Sequence, residues 1–148
     1  MIRAIYNEGY SQLDQIIQQE TVNQLFPDCR TLIKEKVLFV EFDIQDPDYR
    51  STYKLQIKYE SQRKHDVFIL KPKIVPSVAV HMYPNSSLCL YSPPDISPFR
   101  RLWIGKDLIQ RTALWVCHYE QWLINGNIWK GREAPGHAEL LQRVNNQR

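Results

Sequence analysis

The sequence has no apolar run approaching the roughly 20 residues that span a membrane, which excludes a membrane-crossing helix. Its opening residues, Met1 to Glu8, lack both the apolar segment and the cleavage site of a secretory leader, so a cytosolic protein is expected. Cysteine is scarce and unpaired. Cys29, Cys89 and Cys117 are odd in number and share no close spacing, which argues against a disulfide framework or a CxxC zinc knuckle. Glu133 and His137 lack a third and fourth ligand at suitable spacing, so no metal is expected. A Gly-rich phosphate loop is also missing, so neither ATP use nor any other cofactor is expected. The formal charge of +3 is mild and dispersed, apart from Gln62 to His65 and the Arg100-Arg101 pair. Nucleic-acid binders usually concentrate basic residues in a stripe, so that function class is set aside.

What is present describes a globular protein. Hydrophobic residues make up 43% and charged residues 24% of 148, enough for one domain with an ordinary core. No repeat or linker divides the chain, so residues 1–148 read as a single domain with a polar tail after about residue 138.

Residues 1–26 read as one or two helical pieces. Ser11 is positioned to cap, Leu13, Ile16 and Ile17 form a narrow apolar stripe, and Pro27 ends the run. Three strands are then expected. Val37 to Ile44 puts Leu38, Val40, Phe42 and Ile44 on one face, and Gln45 to Asp48 forms a turn. Tyr53 to Tyr59 alternates Tyr53, Leu55, Ile57 and Tyr59 against Lys54, Gln56 and Lys58. After the polar link Glu60 to Asp66, Val67 to Leu70 is the third. The simplest arrangement is an antiparallel meander with one wet face.

Prolines 72, 76, 84, 93, 94 and 98 then rule out regular helix and favour an ordered, extended loop. The last element is a helix from about Asp107 to Ile124, with Asp107 as cap, Gln110 three residues on, and Asn125-Gly126 as the stop. Ile109, Val116 and Leu123 share a stripe. Trp115, Tyr119, Trp122 and Trp129 are expected to pack under the loop, with Trp103 partly exposed for a partner.

The Pro-rich loop carries the chemistry. Cys89, flanked by Leu88 and Leu90, is read as a nucleophile, because a thiol attacks readily even when only a small fraction is thiolate. The bland alternative, a small buried hydrophobe, is assigned to Cys29 and Cys117. Asn85 suits either of two roles, an amide donor to a tetrahedral oxyanion or a residue that settles its own turn after Pro84. His81 suits a strut that holds the loop or, with an ordinary pKa of about 6.5, an acid/base group.

A helix, a meander, a Pro-rich loop with Pro84-Asn85 ahead of Leu88-Cys89-Leu90, and a closing helix together resemble the ubiquitin-conjugating (UBC-like) family. There a His-Pro-Asn tripeptide precedes an Ile/Leu-Cys-Leu cysteine. Here the tripeptide is Tyr83-Pro84-Asn85, and His81 stands two residues earlier. The short step from Asn85 to Cys89, the series Trp115, Trp122, Trp129, and the Gly131 to His137 ending are similar to the bacterial branch. That branch is encoded in CBASS anti-phage cyclic-oligonucleotide signalling systems, beside a cGAS/DncV-like nucleotidyltransferase.

The resemblance spans about Val37 to His137. It implies an α+β ubiquitin-conjugating-like fold in which Cys89 carries the nucleotidyltransferase's C-terminal glycine, or a ubiquitin-like protein, as a thioester and delivers it to an amine. With no phosphate loop in this chain, any ATP-dependent activation falls to a separate enzyme, and Asp95 is a candidate helper in deprotonating the amine. The competing reading is an inactive binding module for the nucleotidyltransferase, which the presence of Cys89 disfavours. A cysteine hydrolase ranks third, because His81 is a poorly supported base.

Overall fold

A computed structural model describes residues 2–91 and 100–131. Asp95, Glu133, His137 and the polar tail lie outside the described residues. The architecture is α+β: helix α1 (Ile2–Leu25), strands β1 (Arg30–Lys34), β2 (Val37–Ile44), β3 (Tyr53–Ser61) and β4 (Lys64–Lys71), then helix α2 (Gln110–Ile124). The strands form one antiparallel sheet in chain order. No helix among the described residues is long and apolar enough to cross a membrane.

The sheet has four strands where three were expected. The additional strand, β1, is joined to β2 by Glu35 and Lys36, both with positive φ (52° and 64°). That is the backbone of a tight two-residue hairpin turn, a conformation normally given to Asn-Gly or Asp-Gly. Here α1 supports it, because the Gln15 side-chain amide donates to the Lys36 carbonyl at 2.8 Å and to the Glu60 carbonyl at 2.9 Å. One buried glutamine thereby holds the β1–β2 turn and the end of β3.

The inner face of the sheet follows the alternation. Leu38, Val40 and Phe42 of β2, Tyr53, Leu55, Ile57 and Tyr59 of β3, and Val67 of β4 are all buried. Val22 of α1 and Trp115 and Val116 of α2 join them. At roughly 1.5–3 kcal/mol per large buried side chain, this face is the main source of cohesion.

Helix α1 departs most from expectation. It is one helix that begins well before Ser11, so Ser11 lies in its interior and caps nothing. Two residues of the expected apolar stripe face outward, Leu13 at 56% and Ile16 at 51% exposed, and Ile17 is half-buried, while Asp14, Gln15 and Gln18 are buried. The polar side is inside because the loop ahead of α2 offers main-chain partners. Gln18 donates to the Leu102 carbonyl at 2.7 Å and accepts the Ile104 N–H at 2.9 Å. Asp14 accepts from the Tyr59 hydroxyl and pairs with Arg101. Burial, with the Asp14 carboxylate beside it, pushes the Tyr59 phenol well up. Gln62 completes the seam, accepting the Leu102 N–H at 2.6 Å and donating to the Leu102 carbonyl at 2.9 Å. We therefore expect Leu13→Ala and Ile16→Ala to stay within about 0.5 kcal/mol of wild type in urea unfolding, as surface changes do. A loss above about 2 kcal/mol would mean that the stripe is a core face after all.

The closing helix is entered through a π-helical turn, Ile104–Ile109. Asp107 is not the cap. It reaches back to accept the Trp103 N–H at 2.7 Å and pairs with Arg100 at 2.7 Å. Burial works to raise the Asp107 pKa, but Arg100, the Trp103 N–H and Arg111 outweigh it and hold the carboxyl below its usual range. Gly105 lets this turn press against the residue that follows α1, since a Cβ there would sit 2.9 Å from the Phe26 ring. Farther along, Glu120 accepts from the Tyr53 hydroxyl at 2.7 Å and the Arg50 N–H at 3.0 Å, fastening α2 to the sheet. Asn125 and Gly126 end α2, as expected.

Candidate active site

The segment from Ile74 to Tyr91 leaves β4, makes one short 3-10 turn at Val78–Val80, and folds back against the same strand. The Leu88 N–H donates to the Val67 carbonyl at 2.8 Å, and Ser87 bridges to Phe68. Within the segment, residues 81–89 form a miniature hairpin. The Cys89 N–H donates to His81 at 2.8 Å, Met82 pairs with Leu88, and the Tyr83 N–H donates to Ser87 at 2.8 Å.

Pro84 and Asn85 occupy the tip, where the Ser86 N–H closes a β-turn onto the Tyr83 carbonyl at 2.9 Å. Proline presets the first corner of such a turn. The Asn85 side-chain oxygen accepts the Ser87 N–H at 3.0 Å and the Ser87 hydroxyl at 2.6 Å. Those bonds engage the oxygen end of the amide, so its NH2 end is the one suited to donate to a reacting oxygen.

His81 is buried with left-handed backbone (φ 55°), and its ring stacks on Trp129 at 4.5 Å between centroids. Its main-chain carbonyl, rather than its ring, meets the Cys89 N–H. The Trp115 indole N–H lies beneath, 3.1 Å from the Val80 carbonyl and 3.2 Å from the His81 carbonyl. Trp115 also contacts Trp129 and stacks on Tyr119, and Tyr119 stacks on Trp122. The aromatic series therefore forms the floor of the loop. Gly131 allows the chain beyond Trp129 to close over it, because a Cβ there would lie 2.7 Å from both the His118 and Trp129 rings.

Cys89 is half-buried, between the buried Leu88 and the partly buried Leu90. Tyr83 stands beside it, and its interaction with Cys89, followed by burial, pushes the phenol up to about 12. Next along, Tyr91 bonds His65 Nε2 at 2.5 Å, and Arg111 lies over the Tyr91 ring at 5.8 Å. Tyr83, Tyr91 and His65 were not candidates in the sequence. Tyr83 was visible only as the departure from His-Pro-Asn. Its reach to Cys89 follows from the hairpin register, and His65 arrives from a different hairpin.

The other two cysteines differ in setting. Cys29 packs against the core, and burial pushes its thiol up. Cys117 lies on α2 beside Tyr49, whose phenol is pushed up by burial first and then by Cys117. Trp103 is half-buried beneath the Arg101 guanidinium, which lies 4.3 Å from its ring centroid. Among the described residues no group of three or more His, Cys, Asp or Glu comes together as a metal site.

Burial holds the His65 ring below its ordinary pKa, against the opposing pull of the Ser61 carbonyl and Asp66. The unfolded chain takes up this proton near pH 6.5, whereas the folded ring resists it. The stability so contributed is complete above about pH 6.5 and is lost as pH falls through the lower folded value. Urea midpoints at about pH 7.5 and 5.5 should therefore fall less for His65→Gln than for wild type. Equal losses would show that His65 adds nothing to the pH dependence.

A family model described as "Type II CBASS E2 protein" matches residues 18–138, a span that contains the sheet, the hairpin with Cys89 and both elements of the closing helix. No curated protein matches the chain.

Proposed function

Since the chain belongs to the type II CBASS E2 family, we propose that it is a ubiquitin-conjugating-like transferase with Cys89 as its acyl carrier. In this reading, the α+β architecture is a ubiquitin-conjugating-like fold. Cys89 receives the C-terminal glycine of a cGAS/DncV-like nucleotidyltransferase, or of a ubiquitin-like protein, as a thioester. An amine then takes the acyl group, and the conjugate primes anti-phage signalling in the cytoplasm. A separate enzyme performs any activation that needs ATP.

The observation that carries the reading is the setting of Cys89. It is a half-buried thiol on the return limb of a hairpin braced by main-chain bonds, within the span matched by the family model. Loops fixed on a rigid scaffold commonly hold reactive groups. Each candidate residue takes one role. Asn85 presents its amide N–H to the oxyanion of the tetrahedral intermediate, a kind of contact worth roughly 100- to 1,000-fold in rate. His81 is a strut, supported by its stacking on Trp129. Asp95 assists loss of the amine proton.

The test is co-expression with the nucleotidyltransferase encoded beside it, followed by intact mass under non-reducing conditions. A thioester appears as an adduct of the partner's mass less one water, and added thiol removes it. Co-purification of the two proteins with no adduct in any form would favour a binding module and end the transferase reading.

A further inference from the structure

We propose that His65 is a positioning residue for Cys89: its Nε2 latches the Tyr91 hydroxyl and so fixes the chain as it leaves Cys89. The consequence for acyl transfer rests on the reading of Cys89 as an acyl carrier.

Up to Cys89, main-chain bonds hold the hairpin. The Leu88 N–H reaches Val67, and the Cys89 N–H reaches His81. Beyond Cys89, no main-chain bond among the described residues holds Leu90 or Tyr91. A side chain takes over there. The Tyr91 hydroxyl lies 2.5 Å from His65 Nε2, and the Tyr91 ring packs against the core with the Arg111 guanidinium 5.8 Å from its centroid. The latch thus joins the exit of the Cys89 hairpin to the start of β4, with α2 closing over it.

The direction of the bond follows from the far side of the imidazole. His65 Nδ1 faces the Ser61 carbonyl at 3.4 Å. A carbonyl only accepts, so Nδ1 carries the proton of the neutral ring and Nε2 keeps its lone pair. The Tyr91 O–H is therefore the donor. Tyr59 sets the angle of the ring, stacking on it at 5.9 Å with 17° between the planes. Tyr59 is held in turn, donating to Asp14 and accepting from Gln62. Burial keeps His65 below its ordinary pKa against the pull of the Ser61 carbonyl and Asp66, so the accepting form prevails at about pH 7.

A packed ring only resists displacement, whereas a lone pair aimed at one hydroxyl selects one setting of Tyr91. Cys89 lies two residues back, at most about 7 Å along the chain, so a freed Tyr91 loosens the acyl group that Cys89 carries. Attack by an amine needs the reacting atoms held about 3–3.5 Å apart, and small misplacements are costly in rate. His65 touches neither the acyl group nor the amine in this scheme. It acts through Tyr91 alone.

The latch has a spectroscopic signature that needs no partner. Long-range 1H–15N correlation spectra of the chain at about pH 7.5 should show His65 protonated on Nδ1 and bare on Nε2. Tyr91→Phe removes one oxygen and should move the Nε2 resonance downfield, as the lone pair loses its donor. A retained cooperative melting transition will confirm that the variant folds. In loaded protein, discharge of the thioester to free lysine should slow about fivefold in Tyr91→Phe and in His65→Phe, the population shift one ordinary hydrogen bond supplies. The double variant should be no slower than either, because both changes remove the same bond. His65→Gln keeps an acceptor oxygen and should discharge near the wild-type rate. A wild-type ring protonated on Nε2, or an Nε2 resonance unmoved in Tyr91→Phe, would overturn the latch. Wild-type discharge in both single variants, or additive losses in the double, would overturn the positioning role. A wild type that never loads would instead overturn the acyl-carrier reading and the transfer role with it, while the spectra still decide the latch.

Discussion

Cys89→Ala should abolish the thiol-sensitive adduct entirely, while Cys89→Ser and Cys89→Lys should convert it to forms that survive reductant. The carrier reading requires this pattern because the bond to the partner changes class with the side chain. Sulfur gives a thioester that thiols and amines cleave, oxygen gives an ester, and nitrogen gives an amide. No binding model reproduces that series, since a noncovalent complex is indifferent to the element at one atom. Partner affinity should persist in Cys89→Ala, because the cysteine is one half-buried residue of an otherwise intact hairpin. Persistence of a covalent adduct in Cys89→Ala would move the nucleophile elsewhere, with Cys117 and Cys29 next to be tested. Full anti-phage protection by Cys89→Ala would point to a binding module.

The second large effect falls on the loop's support. Trp115→Ala should destabilise the protein by about 3–5 kcal/mol in urea unfolding, in the range found when large aromatic side chains are deleted from cores. Trp115 is only 3% exposed, stacks on Tyr119, touches Trp129 and donates to the carbonyls of Val80 and His81. The last bond gives the substitution a functional consequence. The His81 carbonyl also receives the Cys89 N–H, so the indole and the Cys89 backbone share one acceptor. Trp115→Phe separates the two effects, keeping much of the ring while removing the donor. It should cost about 1–3 kcal/mol, the range for leaving a buried polar group unpaired. Thioester formation should suffer in proportion more than stability does. A loss below about 1 kcal/mol for Trp115→Ala would contradict the packing described.

The strands that bury one full face were legible because alternation is a strong signal. Val37–Ile44 falls where expected, and β3 runs only two residues past Tyr59. Strand β1 was not legible. It is a five-residue edge with Arg and Lys at its ends and Leu32 facing outward, joined by a Glu-Lys turn that carries no turn signature. Helix α1 was legible as a helix but not in its facing, because hydrophobic periodicity assumes an apolar partner. The partners here are the carbonyls of Lys36, Glu60 and Leu102, which no local pattern reveals. The aromatic floor could be anticipated from helical spacing. The nearness of Tyr83 to Cys89 required the register of the hairpin, a relation between residues that appears only once the chain has folded back.

The amide bonds of α1 also set how the helix may be replaced. An oily seam tolerates sliding by a turn or substitution by another amphipathic helix, because dispersion has little directional preference. Gln15 and Gln18 instead address particular carbonyl and N–H groups on one turn, the end of β3 and one strap, each with a fixed direction and spacing. A one-turn slip would strand all of them in a dry interface at roughly 1–3 kcal/mol each. The helix therefore works as a keyed part with one admissible seating, and a chimera that borrowed a relative's first helix would have to borrow those two glutamines with it.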